Sequence, residues 1–351
     1  MDEPIVKYSP SDFLVVENLV LPEFTFPAAG HYDTGDEAPF TYLRAQKSGY
    51  TTFELMGLLS RFFCLPTESV TYAGLKDEDG ITEQTVCIAA RITQKSATLF
   101  NSTNRTSAGK FVRIYLLGYG SNKIEIGKLN GNGFRITIRK ISQKFADTLP
   151  GRGKMLISFL NYYDTQRFGI PNNRKNTHRI GEAILNGDFR RALVLVRESG
   201  TPEGKIAVEA QMNDAEKFFE CLEPRIISFY KSSFASFEWN SRLAKEVRKS
   251  AHEFIEKNYE GIEYTFSKKS ACVSGMMASM KSMPMKKYYG DMAISERPTA
   301  IQTQIHFDQI EEDEVHVGFY KISVSFFLPS GTYATMCLKQ ILNFGDIRDV
   351  S

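Results

Sequence analysis

Two changes of apolar periodicity divide this chain. Alternating apolar residues in Phe111 to Leu117, Ile124 to Leu129 and Phe134 to Ile141 predict strands, the last two joined by a turn at Asn130-Gly131-Asn132-Gly133. After about residue 155 the apolar spacing becomes three and four, over Ile180 to Val196, Ala215 to Tyr230 and Ser241 to Tyr259, which predicts helices. Phe319 to Leu328 then returns to strand alternation, and Thr332 to Leu342 to a helix. If the late strand rejoins the early sheet, the helical block is an insertion. The expectation is an α+β chain: a mostly antiparallel sheet with packed helices in 1–155 and 316–351, and a helix-rich insertion in 156–315. Thr51 and Glu54 have the spacing of a capping box, so Thr51 to Phe63 is expected to be a helix stopped by Pro66. Its apolar residues Phe53, Leu55, Met56, Leu59 and Phe62 are expected to pack on the sheet. Ser267 to Lys287, with five lysines, five methionines and no steady period, reads as either a mobile basic loop or an adaptable Met-rich packing surface.

At 351 residues the chain has room for two domains and should bury about three quarters of the surface its unfolded form exposes. Net charge is only +2, but its distribution is uneven. From Arg135 to Arg197 there are thirteen Lys or Arg against four acids, while acids gather at Asp308, Glu311, Glu312, Asp313 and Glu314. Such asymmetry concentrates positive potential where a phosphate backbone could lie, although a solvated helical face carries similar charge. Five widely spaced cysteines, never paired as CxxC, argue against a disulfide framework and a Cys-rich zinc site. His31, His252, His306 and His316 are too scattered for a metal site. The start is acidic and no run approaches a membrane helix, so the chain reads as a cytoplasmic protein with no membrane partner.

The stretch Ala73-Gly74-Leu75-Lys76-Asp77, running on to Gly80-Ile81-Thr82-Glu83-Gln84, sets a carboxylate beside a lysine just after the short strand-like run of Val70 and Tyr72. An ionised carboxylate at Asp77 could serve as a nucleophile or a base. The plainer reading is a solvated hairpin-turn acid. A calcium loop is excluded, because placing Asp77, Asp79 and Gly80 at positions three, five and six leaves Leu75 at position one and Val86 where the bidentate Glu belongs. Lys76 could reach Asp77 only if the backbone turns there, since neighbouring strand side chains point opposite ways. Otherwise it would hold phosphate or structure. The glycines near Asn132 lack Gly-Lys-Ser/Thr and precede a strand, so they are not a phosphate loop.

Other stretches stand around this one in order: Asp12-Phe13-Leu14-Val15-Val16-Glu17, Gly131-Asn132-Gly133-Phe134, Asn161-Tyr162-Tyr163 with Gln166-Arg167-Phe168-Gly169, Ser236-Phe237-Glu238-Trp239-Asn240, and Leu328-Pro329-Ser330-Gly331-Thr332-Tyr333-Ala334-Thr335. As an ordered set covering nearly the whole chain they resemble the TruD family of pseudouridine synthases. The resemblance implies the pseudouridine synthase fold with an inserted TruD-type domain. It further implies an enzyme that isomerises uridine to pseudouridine in RNA, at uridine-13 of tRNA, using Asp77 and base flipping, with no cofactor and no metal. By the same resemblance Phe134 stacks on the target uracil, Asn132 orients it or the Asp77 loop, and Glu17 is an active-site acid. The plain alternatives are a core aromatic, a turn residue and a surface strand residue. Arg167 is expected either to contact RNA or organise the carboxylate, or to make an interdomain salt bridge. Arg174, Lys175 and Arg179, with His178 among them, are expected to contact phosphate or to be a solvated helix start. Trp239 is expected to be structural rather than base-stacking. The chain departs from the family in carrying Glu78 and Asp79 after Lys76-Asp77, where basic residues are usual, Gly80 where alanine is common, and Asn18 after Glu17. The expected partner is RNA, and the expected state a monomer. Competing readings are an RNA-binding module of the same fold without turnover and a synthase acting on RNA other than tRNA.

Overall fold

In the computed structural model the described residues are 3–19, 38–76, 78–104, 109–209, 214–288 and 292–345. The first part of the chain forms β1 (Ile5–Val6), β2 (Phe13–Asn18), β3 (Phe40–Ser48), α1 (Thr52–Phe62), β4 (Val70–Tyr72), β5 (Ile81–Ile88), α2 (Gln94–Thr103), β6 (Phe111–Gly120), β7 (Gly131–Ile141), α3 (Gln143–Ala146) and β8 (Gly153–Leu160). A helical stretch follows: α4 (Thr177–Leu185), α5 (Phe189–Arg197), α6 (Pro202–Glu209), α7 (Ala215–Cys221) and α8 (Pro224–Ser250). Then come β9 (Phe254–Tyr259), β10 (Ile262–Ser267), α9 (Ser270–Ser279), β11 (Ser282–Lys287), β12 (Ala293–Pro298), β13 (Ala300–Phe307), β14 (Glu311–Glu312), β15 (Tyr320–Pro329) and α10 (Ala334–Asn343). Tertiary contacts group Met1–Met155 with Gln304–Gly331 and Leu156–Thr303 with Thr332–Ser351. β15 thus returns to the early strands, while α10 counts with the second unit.

The main sheet has the order β6-β3-β5-β2-β7-β15-β13-β8. β2 lies between β5, to which it runs parallel, and β7, to which it runs antiparallel. β7 pairs with β15 on its other side. Behind the sheet, Leu55 and Leu59 of α1 and Phe100 of α2 bury themselves against Leu43, Val86 and Ile114. The expected capping box starts α1: Thr51 Oγ1 accepts from Glu54 N at 3.1 Å, and Glu54 Oε2 accepts from Thr51 N at 2.7 Å. Phe53, expected in the core, is instead 54% exposed and lies edge-on to Tyr72. It sits on the side of the helix opposite Leu55, and the apolar stripe is narrower than its composition implied.

Ile124 to Leu129 is not a strand. Ile124 is buried, Ile126 is 76% exposed, and Gly127 turns the chain at φ +87°, its N–H donating to Ala73 O at 2.8 Å. Gly131 to Gly133 are correspondingly not a hairpin turn but the first residues of β7, paired to β2 on one side and β15 on the other. A Cβ on Gly131 would come within 2.1 Å of Leu328 O, so close strand packing rather than turn geometry requires glycine there. The start of β2 is tied down by Arg139 of β7, which donates to both carboxylate oxygens of Asp12 and reaches Asp313 at 3.0 Å.

In the second unit, the helix expected over Ile180 to Val196 breaks at Asn186 to Asp188 into α4 and α5, and that over Ala215 to Tyr230 breaks at Leu222 and Glu223. The helix expected over Ser241 to Tyr259 ends at Ser250, and Phe254 to Tyr259 pair with β10. Ser267 to Lys287, expected to be irregular, contains α9 and β11. Met285 of that stretch is buried and accepts from Tyr163 OH, as the packing reading of its methionines implied. α4 crosses α8 so closely that a Cβ on Gly181 would lie 2.0 Å from Tyr230 O. Gly181→Ala is therefore expected to lower stability by about 1 to 3 kcal/mol, read as a shift in urea midpoint at unchanged m-value.

Candidate active site

Residues paired directly across neighbouring strands project from the same face of a sheet. Glu17 of β2 stands opposite Asn132 of β7, and Val15 opposite Phe134. On the far side of β7, Leu328 of β15 stands opposite Asn132 and Phe326 opposite Phe134. The sequence stretches around residues 17, 132, 134 and 328 are therefore one patch of one face. Phe134 is half-buried, its ring stacked on Phe326 at 5.5 Å and edge-on to Phe13 at 6.2 Å. Asn132 Oδ1 is buried and, as oriented, has no hydrogen-bond partner among the described residues. An acceptor left so costs about 1 to 3 kcal/mol.

Lys76 enters this patch from the segment after β4. Its ammonium lies 2.8 Å from Glu17 Oε1, with side-chain exposures of 4% and 1% for the two residues. Glu17 Oε2 accepts from Thr85 N at 2.9 Å. Lys76 thus holds a carboxylate, and Glu17 is not a surface strand residue. Gly74 leaves the room this needs, since a Cβ there would sit 3.3 Å from Lys76 Nζ. Asp77, the candidate carboxylate, lies outside the described residues. Gly80 stands where a Cβ would come within 2.5 Å of Phe13 O, so glycine is a steric requirement of this chain at that position.

The remaining stretches meet within the second unit. Asn240 of α8 accepts from Tyr163 N at 2.9 Å and donates to Tyr163 O at 2.8 Å. Trp239, fully buried, donates from Nε1 to Asn161 O at 3.0 Å, a structural role. Arg167 donates to Ser236 Oγ at 3.1 Å and lies over the rings of Tyr163 and Phe229. Neighbouring Asp164 is buried with the ammonium of Lys339 and the hydroxyl of Thr335, an ion pair that no motif spacing signalled. Burial acts to raise the Asp164 carboxyl, but the adjacent Lys339, with Thr335 and the Thr165 N–H, outweighs it and holds the group below the usual range. Arg297, likewise not singled out in the sequence, places its guanidinium 4.0 Å from the Tyr163 ring centre and donates to Asn161 Oδ1 at 2.7 Å.

The basic group after Gly169 separates into different environments. Arg174 and Arg179 are exposed, Arg174 paired with Glu198. Lys175 turns inward, donating to the carbonyls of Gly169 and Ile170 and pairing with Glu260 at 3.2 Å. His178 is a core residue stacked on Phe237 at 4.3 Å, and burial, with Arg179 nearby, pushes its pKa down to about 4. It is therefore neutral at pH 7 and offers no charge to a phosphate.

The family described as tRNA pseudouridine synthase D (TruD) matches residues 4–211. The chain belongs to the TruD family. It is 24% identical to the probable tRNA pseudouridine synthase D 1 of Methanococcus maripaludis, over 89% of this chain and 95% of that protein. It is 28% identical to the multisubstrate pseudouridine synthase 7 of Schizosaccharomyces pombe, over 54% of this chain and 28% of that one. In fold it is similar to the crystal structure of the putative tRNA pseudouridine synthase D of Methanosarcina mazei, with a TM-score of 0.61, 19% identity, and 96% and 93% of the two chains covered. As a TruD-family protein it is an RNA pseudouridine synthase, an isomerase. No helix among the described residues is long and apolar enough to cross a membrane. Among those residues no group of His, Cys, Asp and Glu gathers to hold a metal ion.

Removing one member of a buried ion pair leaves the other charge uncompensated, whereas a neutral pair of similar shape is tolerated. Lys76→Met alone is expected to cost about 3 to 5 kcal/mol in urea unfolding. The double variant Lys76→Met/Glu17→Gln, in which the Gln carbonyl still accepts from Thr85 N, is expected to recover most of that loss.

Proposed function

We propose that this protein converts uridine-13 of tRNA to pseudouridine, with Asp77 as the catalytic carboxylate. The reaction breaks the N1–C1′ bond, turns the detached uracil, joins C5 to C1′ and releases the C5 proton to solvent while N1 regains one. No atom of the base or ribose skeleton is gained or lost. Asp77 either attacks C1′ or removes a C2′ proton, and both routes use one ionised carboxylate next to the Lys76–Glu17 pair in the chain. The observation that carries this reading is the polar and aromatic patch of Glu17, Asn132 and Phe134 on one face of the sheet, entered by Lys76, the residue before Asp77 in the chain.

Asn132 stands on the same face as Glu17 and Phe134, and in this reading its amide orients the uracil or the Asp77 loop. Phe134, stacked on Phe326, continues an aromatic face on which a flipped base could lie. Stacking contributes about 1 to 3 kcal/mol per base, comparable to the few kcal/mol that flipping costs. Arg174 and Arg179, both exposed, are the phosphate contacts in this reading, and Arg167 organises its own neighbourhood through Ser236 and Tyr163. The same reading takes residues 156–315 as the family's inserted domain, 1–155 with 316–351 as the catalytic domain, and the protein as a cytoplasmic monomer. The name of the Methanococcus relative supports tRNA as the substrate. The multisubstrate relative of S. pombe supports a second reading, in which other RNAs are also modified.

Tritium release from unmodified tRNA carrying [5-³H]uridine tests both. Wild type is expected to release tritium, and Asp77→Ala to release it at least about 10²- to 10⁴-fold more slowly while binding tRNA within about twofold of wild type. Equal release by the two would exclude Asp77 as the catalytic group. Binding without release from tRNA or total cellular RNA would leave a binding module on this fold.

A further inference from the structure

The connection between β3 and α1 holds the chain on both sides of position 77. Lys76 N donates to Thr52 Oγ1 at 3.0 Å, and Lys76 O accepts from Lys47 Nζ at 3.1 Å. The same ammonium donates to Tyr50 O at 2.7 Å, and the Thr52 hydroxyl donates to Gln84 Oε1 at 3.1 Å. Beyond position 77, Glu78 O accepts from Gly49 N at 2.9 Å. Lys47 and Thr52 are both fully buried. Gly49 has φ +68°, a left-handed conformation that lets its N–H face residue 78 and that a side chain would strain.

Lys47 is fully buried, and the carbonyls of Tyr50 and Lys76 are among the partners its ammonium meets there. An ammonium loses several kcal/mol of hydration on burial, and a surface turn can satisfy its backbone with water at almost no cost. The expense is consistent with a need for fixed geometry. Both backbone groups of Lys76 are bonded to side chains at the end of β3 and the start of α1, and its own ammonium is paired with Glu17. The main chain of residue 76 is therefore held at both its N–H and its carbonyl.

We infer that Lys47 and Thr52 are positioning residues for the pseudouridylation reaction: they hold the main chain of residue 76 so that the carboxylate of Asp77 reaches the ribose in one geometry. The inference rests on Asp77 as the catalytic group. Neither side chain needs to touch RNA for it to hold. Its signature is a loss in the chemical step without a loss in binding, because a misplacement of about 1 Å in a reacting group costs on the order of 100-fold in rate.

Thr52→Val keeps shape and removes the hydroxyl, while Thr52→Ser keeps the hydroxyl. Single-turnover tritium release from [5-³H]uridine tRNA, with saturating enzyme, reads the chemical step. A filter-binding Kd for the same tRNA and a melting curve for each variant read binding and folding. Thr52→Val is expected to slow release by about 10- to 100-fold with Kd within twofold, and Thr52→Ser to stay within about threefold of wild type. Lys47→Met, measured well below its own melting temperature, is expected to show the same split. Wild-type rates in Thr52→Val and Lys47→Met overturn the inference alone. So does an equal loss in Thr52→Ser, or a fall in rate matched by the fall in folded fraction, since either would mark a structural role. No release by the wild type overturns the proposed reaction and the inference with it.

Discussion

The ion pair between Lys76 and Glu17 is the constraint around which the first unit is organised. Both side chains are almost wholly withdrawn from water, and Glu17 spends its second oxygen on Thr85 N. The pair therefore joins three segments: β2 through Glu17, β5 through Thr85, and the stretch after β4 through Lys76. A slip of β2 by one residue would turn Glu17 to the opposite face and strand the ammonium, so the register of the central strands and the ion pair specify one another. Buried pairs seldom stabilise a fold more than apolar residues of the same volume would. Retaining one here fits a demand for geometry: it sits on the residue that precedes the catalytic candidate.

The second unit meets a similar demand with hydrogen bonds to the backbone. Ser236, Trp239 and Asn240 lie three and four residues apart on α8, hence on one side of the helix, and all three hold the stretch from Asn161 to Arg167. Asn240 is the most specific of them, because its amide matches both the N–H and the C=O of Tyr163. Asp164 then ties down α10 through Thr335 in its first turn and Lys339 near its middle. Stretches that look unrelated in the sequence are the two halves of each of these contacts.

The elements read correctly from the sequence are those whose signals are local. The Thr51–Glu54 box, the strand at Val70 to Tyr72, the alternation of Phe111 to Leu117 and the late strand that became β15 each carry their own pattern. Errors arose where pairing decides. Ile124 to Leu129 alternates like a strand but has no partner strand, and Gly131-Asn132-Gly133 looks like a turn because no local rule shows that two strands will flank it. Phe254 to Tyr259 continues a helical spacing, and only its pairing with β10 makes it a strand. In the site, Lys76, Asn132 and Phe134 stand out through the family resemblance, yet the partner of Lys76 lies 59 residues earlier in sequence and no spacing rule connects them. His178 and Lys175 appear as part of a basic run, but helix phase and loop path, which composition does not record, send both inward.

Two of the departures from the family pattern are accounted for by exposure and by close packing. Glu78 and Asp79 are exposed, so their charge is screened by water and salt, and Gly80 is required by the approach of Phe13 O. The most direct test of whether the buried pair serves geometry is the single-turnover rate of pseudouridine formation by Lys76→Met/Glu17→Gln, a variant chosen because its stability should be close to that of the wild type. If the pair sets the path of the chain into Asp77, turnover is expected to remain at least about 100-fold below wild type although folding is restored. Turnover that returned together with stability would contradict this and reduce the ion pair to a structural filler.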